Sequence, residues 1–370
     1  MSKKEGLRLL LTGGGTGGHL FPAVATAQEF RRRDSRTQVL FVGTRRRVDE
    51  KSLAAYGFER ESITCYGFKG KNIVQLVKAL VSLPIGYSQA LNILRRFQPD
   101  VVLGVGGYVT APVVVAARRL GIAVVLHEQN TVPGLANRKL ASLANRICLS
   151  LPESGVYFPS EKSILTGNPV RSEIKELASQ TEQPHAKKTI LVLGGSQGAI
   201  GVNRLVCEML RRGGQGLSQY QIIHQTGERD EAEVRTFYRT QETEAEVAAF
   251  FTDMPKIYAR ADLVISRAGA TTLAELAVLG KPALLIPYPF AADNHQEKNA
   301  EHYVVAGGAR MFPEKSTDPD ELAAAVAELM EDDTKRHIMA RAMKDAAMPD
   351  AAASIADCCF DAIKKGVTDA

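Results

Sequence analysis

The chain has 370 residues, 45% of them hydrophobic and 24% charged, with 46 basic against 41 acidic residues and a net charge of +5. That length exceeds one ordinary core and favours two domains, and the composition is that of a globular protein rather than a disordered one. Five scattered cysteines, none spaced C-x-x-C, argue against a disulfide framework or zinc site, and the charge comes with no nucleic-acid recognition motif and no basic tail.

In chain order, residues 1–6 are polar and show no signal peptide. Residues 8–12 read as a strand, 13–18 as a glycine cluster and 21–33 as an alanine-rich helix. A second apolar run over 38–42 stops at Gly43, and further strands are expected at 101–105 and 123–127. The longest apolar region, 101–117, is broken by Gly104, Gly106, Gly107 and Thr110, and falls short of the roughly 20 residues that cross a bilayer. The pattern restarts at 190–193, which runs into Gly194-Gly195-Ser196-Gln197-Gly198 and a helix through Asn203 and Leu210. Strands follow at 221–224, 262–266 and 283–287. Alternating β and α in both halves predicts two doubly wound parallel sheets. The boundary falls near Gly167-Asn168-Pro169, and a second, polar linker covers 180–188.

The chemistry concentrates where glycines follow strands. Gly13-Gly14-Gly15-Thr16-Gly17-Gly18-His19 opens a helix, so its backbone N–H groups and the positive helix end can hold an anion. Gly13, Gly15 and Gly18 also satisfy G-x-G-x-x-G, and Arg45, Arg46 and Arg47 after the second strand could meet the extra phosphate of NADP, so an NADP-dependent reductase is one alternative. His19 can titrate near neutrality and act as a base, or merely cap the loop. Gly104-Val105-Gly106-Gly107-Tyr108 supplies a second glycine loop, and Gly194 to Gly198, with Ser196, a third. No Gly-x-x-x-x-Gly-Lys-Ser/Thr occurs, which argues against a P-loop enzyme. From Ser266 the chain reads Ser-Arg-Ala-Gly-Ala-Thr-Thr-Leu-Ala-Glu-Leu. Here Gly269 and Ala270 admit close backbone approach, Thr271 and Thr272 begin a helix that can bind a diphosphate, and Glu275 can accept from both ribose hydroxyls. Gln296 offers a donor and an acceptor to sugar hydroxyls, and His127-Glu128-Gln129-Asn130 closes a strand with four polar residues. A binding module without catalysis would keep Glu275 and Arg171 and have no need of His19.

Together these motifs, with Gly167-Asn168-Pro169-Val170-Arg171, resemble the nucleotide-sugar glycosyltransferases of GT-B architecture, two Rossmann-like domains facing across a cleft. Within that group the chain is similar, over nearly its whole length, to the N-acetylglucosaminyltransferases that convert lipid I into lipid II in bacterial peptidoglycan synthesis. The resemblance implies an acceptor-binding, membrane-facing domain over 1–168, a UDP-GlcNAc domain over 169–348, and a C-terminal helix at about 349–370 packing back on the first.

It further implies a donor site of Phe251 on uracil, Glu275 on ribose, Arg171, Ser196, Ala270, Thr271, Thr272, Leu273 and Ala274 around the diphosphate, and Gln296 on the sugar. Thr16, Gly17, Gly18 and Asn130 complete it. His295 stands where some relatives have a second Gln. Gly14, Gly15, His19, Gly106, Gly107 and Tyr108 would take the acceptor, with His19 as base and Glu128 as the alternative. No resident metal or cofactor is implied, and a loosely bound Mg²⁺ is compatible with the scheme. The implied partners are UDP-GlcNAc, the undecaprenyl-linked lipid I, other cell-wall synthesis proteins and the anionic cytoplasmic face of the plasma membrane, where the protein would be peripheral.

For the membrane contact, residues 73–83 carry only Gln75, Lys78 and Ser82 as polar residues. These fall on one helical face, so the apolar arc is wider than a core-facing stripe requires. Lys69, Lys71, Arg95 and Arg96 flank it with cations.

Overall fold

The computed structural model describes residues 6–14, 17–44, 53–54, 56–67, 73–180, 187–195, 198–213, 216–217 and 219–368, with main chain alone at 73–81 and 365–368. Gly15, Thr16, Arg45, Arg46, Arg47, Lys69, Lys71, Ser196 and Gln197, and the side chains of Ile73, Gln75, Val77, Lys78 and Leu80, lie outside the described residues.

The chain divides into two compact units, one of Met1–Arg171 with Pro349–Ala370, the other of Ser172–Met348. The first holds seven parallel strands in the order β3-β2-β1-β4-β5-β6-β7, where β1 is Arg8–Thr12, β2 Gln38–Gly43, β3 Glu59–Ser62, β4 Val101–Gly104, β5 Ala123–Glu128, β6 Arg146–Leu149 and β7 Ser163–Leu165. The second holds six parallel strands, β10-β9-β8-β11-β12-β13, with β8 Thr189–Leu193, β9 Gln221–Gln225, β10 Ala245–Ala248, β11 Leu263–Ser266, β12 Ala283–Leu285 and β13 Ala309–Met311.

The continuous apolar run of β1 follows from burial on both faces, the usual condition of a parallel strand. Leu9, Leu10 and Leu11 are all 0% exposed. Their alternation divides them: Leu9 and Leu11 pack with Ala23, Val24 and Phe30 of the helix Gly17–Arg33 and with Ile355, Ala356 and Cys359 of the helix Ala351–Thr368. Leu10 faces the other way, onto Leu94 of the helix Ile73–Phe97 and Val113 of the helix Thr110–Arg119. In the second unit Ile190 and Val192 of β8 meet Val202, Val206 and Met209 of the helix Ile200–Gly213 and Leu322, Val326 and Leu329 of the helix Pro319–Glu331.

The two units also open their sheets in the same way. Arg8 N–H donates to the Asp100 carboxylate and Thr189 N–H to that of Asp262, each at 2.7 Å, while the Asp100 and Asp262 amides donate to the Arg8 and Thr189 carbonyls at 2.9 Å. Each aspartate thereby fixes the register between the first strand of its unit and the neighbour across the reversal of strand order, β1 with β4 and β8 with β11.

Near the proposed membrane contact, Ser82 is buried and accepts from Tyr66 N–H at 3.3 Å, whereas Ile85, one turn on, is 46% exposed. Among the described residues no helix is long and apolar enough to cross a membrane.

Candidate active site

Strand order reverses between β1 and β4 in the first sheet and between β8 and β11 in the second, and ligands of doubly wound sheets bind beyond the strand C-termini at such points. The glycine loops leave β1, β4, β8 and β11 at those ends.

In the first unit the loops after β1 and β4 touch backbone to backbone. A Cβ on Gly107, whose φ is +84°, would stand 2.3 Å from the Gly14 carbonyl oxygen, so both loops depend on that glycine. Gly106, with φ +94°, lies beside His19: a Cβ there would be 3.3 Å from the imidazole Cε1 and 3.5 Å from Asn137 Nδ2. Gly17 and Gly18 form the first turn of the helix that carries His19, and Tyr108 follows with its ring beside Gly67 and its carbonyl accepting from the Cys65 thiol at 3.5 Å.

The polar run after β5 is organised from within. Glu128 is 2% exposed, and its carboxylate accepts from Asn130 N–H at 3.0 Å, Asn130 Nδ2 at 3.3 Å, Gly134 N–H at 3.2 Å and Asn137 Nδ2 at 2.9 Å. Four donors on a buried carboxylate tie down the loop 129–137. Gln129 lies between His19 and His127: its Oε1 is 3.0 Å from His19 Nδ1, and its Nε2 is 3.0 Å from His127 Nδ1. Burial pulls the His127 pKa down to about 3, so that imidazole is neutral. Arg171 closes the first unit with its guanidinium 4.6 Å above the Phe21 ring, two residues beyond His19.

In the second unit the helix Ala270–Leu279 begins after Gly269 with no side-chain cap and ends on Gly280 in the left-handed conformation. A helix N-terminus that no side chain caps, here Ala270, Thr271 and Thr272 after Gly269, presents its positive end in a way that suits a diphosphate. Leu273 and Ala274 anchor that first turn in the core. Glu275, 4% exposed, accepts from the Tyr258 hydroxyl at 3.0 Å. After β8, Gly194 N–H donates to the Gln225 carbonyl at 3.0 Å, and Gln225 Nε2 donates to Gly195 O at 3.2 Å while its Oε1 accepts from Phe251 N–H at 3.1 Å. Gln225 therefore couples the glycine loop to Phe251. Gln296 accepts from Tyr288 N–H at 3.0 Å, leaving its Nε2 to donate. His295 donates through Nδ1 to the Ala292 carbonyl at 2.7 Å and so closes the turn before its own helix. That turn holds Asp293 and Asn294 at φ +53° and +56°, left-handed values that this pair of residue types tolerates better than most.

Three residues acquire roles that residue type alone does not signal. Arg267 Nη1 donates to the Ile286 and Pro287 carbonyls, both at 3.1 Å, and Nη2 pairs with Glu314, so it binds together the loops after β11, β12 and β13. Asn137, 1% exposed, donates through Nδ2 to the His127 carbonyl at 3.0 Å and the Glu128 carboxylate at 2.9 Å, and its buried Oδ1 has no hydrogen-bond partner. Gln129 is the third. Backbone carbonyls identify all three, with two ring nitrogens added for Gln129 and a carboxylate each for Asn137 and Arg267, and such partners are set by the fold. Among the described residues no group of three or more His, Cys, Asp or Glu could hold a metal ion.

Two doubly wound units with glycine loops at both switch points, one of them offering an uncapped helix and a buried carboxylate a turn further in, define a nucleotide-sugar glycosyltransferase of GT-B type. Residues 9–149 match the glycosyltransferase family 28 N-terminal domain and residues 189–355 its C-terminal domain. Over 366 residues the chain is 50% identical to the UDP-N-acetylglucosamine--N-acetylmuramyl-(pentapeptide) pyrophosphoryl-undecaprenol N-acetylglucosamine transferase of Desulfotalea psychrophila, covering 99% of both chains. The protein of the same name from Geobacter sulfurreducens is 43% identical over 95% of this chain and 97% of its own. The crystal structure of Acinetobacter baumannii MurG matches with a TM-score of 0.74 at 29% identity, over 96% of this chain and 99% of that one. The chain belongs to glycosyltransferase family 28, in its MurG branch. The reductase alternative falls with that assignment.

Proposed function

We propose that the chain transfers N-acetylglucosamine from UDP-GlcNAc to the 4-hydroxyl of the muramyl sugar of lipid I, forming β-1,4-linked lipid II for peptidoglycan synthesis. The observation that carries this reading is the 50% identity, end to end, with a transferase whose name states that donor and acceptor.

In the reaction, His19 takes the proton of the acceptor hydroxyl as its oxygen bonds to the anomeric carbon of GlcNAc. The bond from that carbon to the β-phosphate oxygen breaks on the opposite side, and UDP leaves with inversion. The N-terminus of the helix Ala270–Leu279 and Arg171 receive the charge that develops on the diphosphate. Glu275 holds the ribose, Phe251 the uracil and Gln296 the sugar, while Asn130 and the loops of Gly14, Gly106, Gly107 and Tyr108 serve the first unit's share of the substrates. His19 is preferred to Glu128 as the base, because four hydrogen bonds already occupy the Glu128 carboxylate.

A lipid-linked acceptor calls for a peripheral enzyme at the cytoplasmic face of the plasma membrane. Residues 73–83 and their flanking cations are the proposed contact. Replacing Ile73, Val77 and Leu80 by Ser should reduce sedimentation with anionic vesicles and spare UDP-GlcNAc binding.

The decisive assay is incubation with labelled UDP-GlcNAc and a lipid I analogue. A β-1,4-linked GlcNAc product supports the reading; failure to label the acceptor, or equal use of another sugar nucleotide, overturns it.

A further inference from the structure

The hydrogen bonds behind His19 leave one consistent placement of protons, and it begins at two backbone carbonyls. The Gly167 oxygen can only accept, and His127 Nε2 lies 3.3 Å from it and 3.0 Å from Ser150 Oγ. A neutral, buried His127 therefore carries its hydrogen on Nε2 and presents a lone pair at Nδ1. The Val105 oxygen likewise only accepts. Gln129 Nε2 lies 3.0 Å from it, 3.0 Å from His127 Nδ1 and 3.3 Å from the His127 carbonyl. Three acceptors around one terminal atom fix that atom as the amide NH₂, and the reverse orientation would set two carbonyl oxygens against each other at 3.0 Å. The Gln129 carbonyl then faces His19 Nδ1 at 3.0 Å, and because it can only accept, Nδ1 must bear the hydrogen.

We infer that Gln129, held by His127 and Val105, is a positioning residue that locks His19 in the tautomer with Nδ1 protonated and the Nε2 lone pair free to take the acceptor's proton. The inference deepens the proposed function and rests on His19 being its base. A free imidazole in water prefers the opposite tautomer, with hydrogen on Nε2, in which the nitrogen remote from Gln129 could not act as a base. A neutral amide does this without placing a formal charge beside the imidazolium that forms, so Gln129 supplies orientation and a carbonyl dipole rather than a counter-ion. Gln129 is 2% exposed, so its choice of partners is shielded from competing water.

The test is ¹⁵N NMR of the histidine-labelled full chain, with His19 assigned among the 7 histidines by its loss in His19→Ala. Wild type should show neutral His19 protonated on Nδ1. Gln129→Met, which keeps the volume and removes the acceptor, should shift His19 toward the Nε2-protonated form. It should also lower kcat about 10–100-fold at unchanged KM for UDP-GlcNAc. Gln129→Asn, which retains a shorter amide, should recover part of the loss, and a melting temperature within the wild-type range separates the effect from unfolding. Wild-type His19 protonated on Nε2, or a Gln129→Met enzyme with normal kcat, overturns the inference. A His19→Ala enzyme with normal turnover would instead overturn the base assignment, whatever the tautomer.

Discussion

The Tyr258 hydroxyl donates to the Glu275 carboxylate at 3.0 Å, and neither residue has more than 4% of its surface exposed. A buried carboxylate with its direction set by a phenol suits the ribose-holding role proposed for Glu275. Glu275→Ala should raise the Kd for UDP-GlcNAc roughly 10–150-fold, the loss of charge-assisted hydrogen bonds worth about 1.5–3 kcal/mol. Tyr258→Phe should cost about fivefold, since it leaves the carboxylate in place but less well aimed. Calorimetric titration of both variants, with melting curves to establish folding, checks the pair. Equal affinity of wild type and Glu275→Ala would remove Glu275 from the donor site.

Loss of the proposed base should affect rate more than binding. His19→Ala should reduce kcat about 10²–10⁴-fold with little change in donor affinity. Glu128→Gln should instead lower melting temperature along with activity, because one of its oxygens becomes a donor facing the donors of Asn130 or Gly134 and Asn137. Paired thermal melts and steady-state assays distinguish the two patterns.

The approach of the β1 and β4 loops makes a steric prediction. Gly107→Ala would press a methyl group to 2.3 Å from the Gly14 carbonyl at a φ of +84°, and should destabilise the first unit by more than about 2 kcal/mol. Gly121→Ala is its control: φ is +73°, but nothing lies within 4 Å of the added methyl, so only backbone strain of about 1 kcal/mol should be felt. Denaturant midpoints that rank the two variants alike would contradict the close contact.

Both units bury a neutral histidine, His127 in the first and His224 in the second, each with its pKa drawn down to about 3 by desolvation. The unfolded chain takes up these protons near pH 6.5, so it binds more protons than the native state between about 6.5 and 3. The associated stability is complete above pH 6.5 and is lost as pH falls, by about 1.4 kcal/mol per unit for each histidine. Glu328 and Asp333, held at about 2 by Arg310 and Lys335 and by Lys188 and Arg336, act only below the ordinary carboxylate range and leave the window from pH 6.5 to 5 to the histidines. Urea titrations at pH 7, 6 and 5 should give falling midpoints, and His224→Gln should flatten the slope of the second unit. Constant midpoints over that range would refute the assignment.

The legibility of the fold in the sequence tracks burial. The strands expected from apolar runs, β1, β2, β4, β5, β8, β9, β11 and β12, all have a neighbour on each side in their sheet and are largely buried. Those that left no such run are β3, β6, β7, β10 and β13, at or next to an edge; β3 reads Glu-Arg-Glu-Ser, because a strand open to water on one side need not be apolar. The first helix begins at Gly17 rather than Phe21, so that Pro22 lies inside it and the last two glycines of the cluster belong to its first turn. Glycine loops announce themselves because few other residues fit them. The roles of Gln129, Asn137 and Arg267 do not, because each depends on carbonyls, carboxylates or rings that the fold brings up from other positions, as far as 110 residues away for Gln129 and His19.

The first sheet is covered on one face by a helix formed from residues 351–368, and in chain order the whole second unit comes between β7 and that helix. During synthesis at about 5–20 residues per second, the middle of the chain can therefore complete its own core while Leu9, Leu11, Leu103 and Val125 still lack Ile355, Ala356 and Cys359. The unit that starts first finishes last. Until the helix Ala351–Thr368 has been made, that face of the first sheet lacks part of its cover, and maturation of this half of the enzyme waits on a segment that follows the whole second unit.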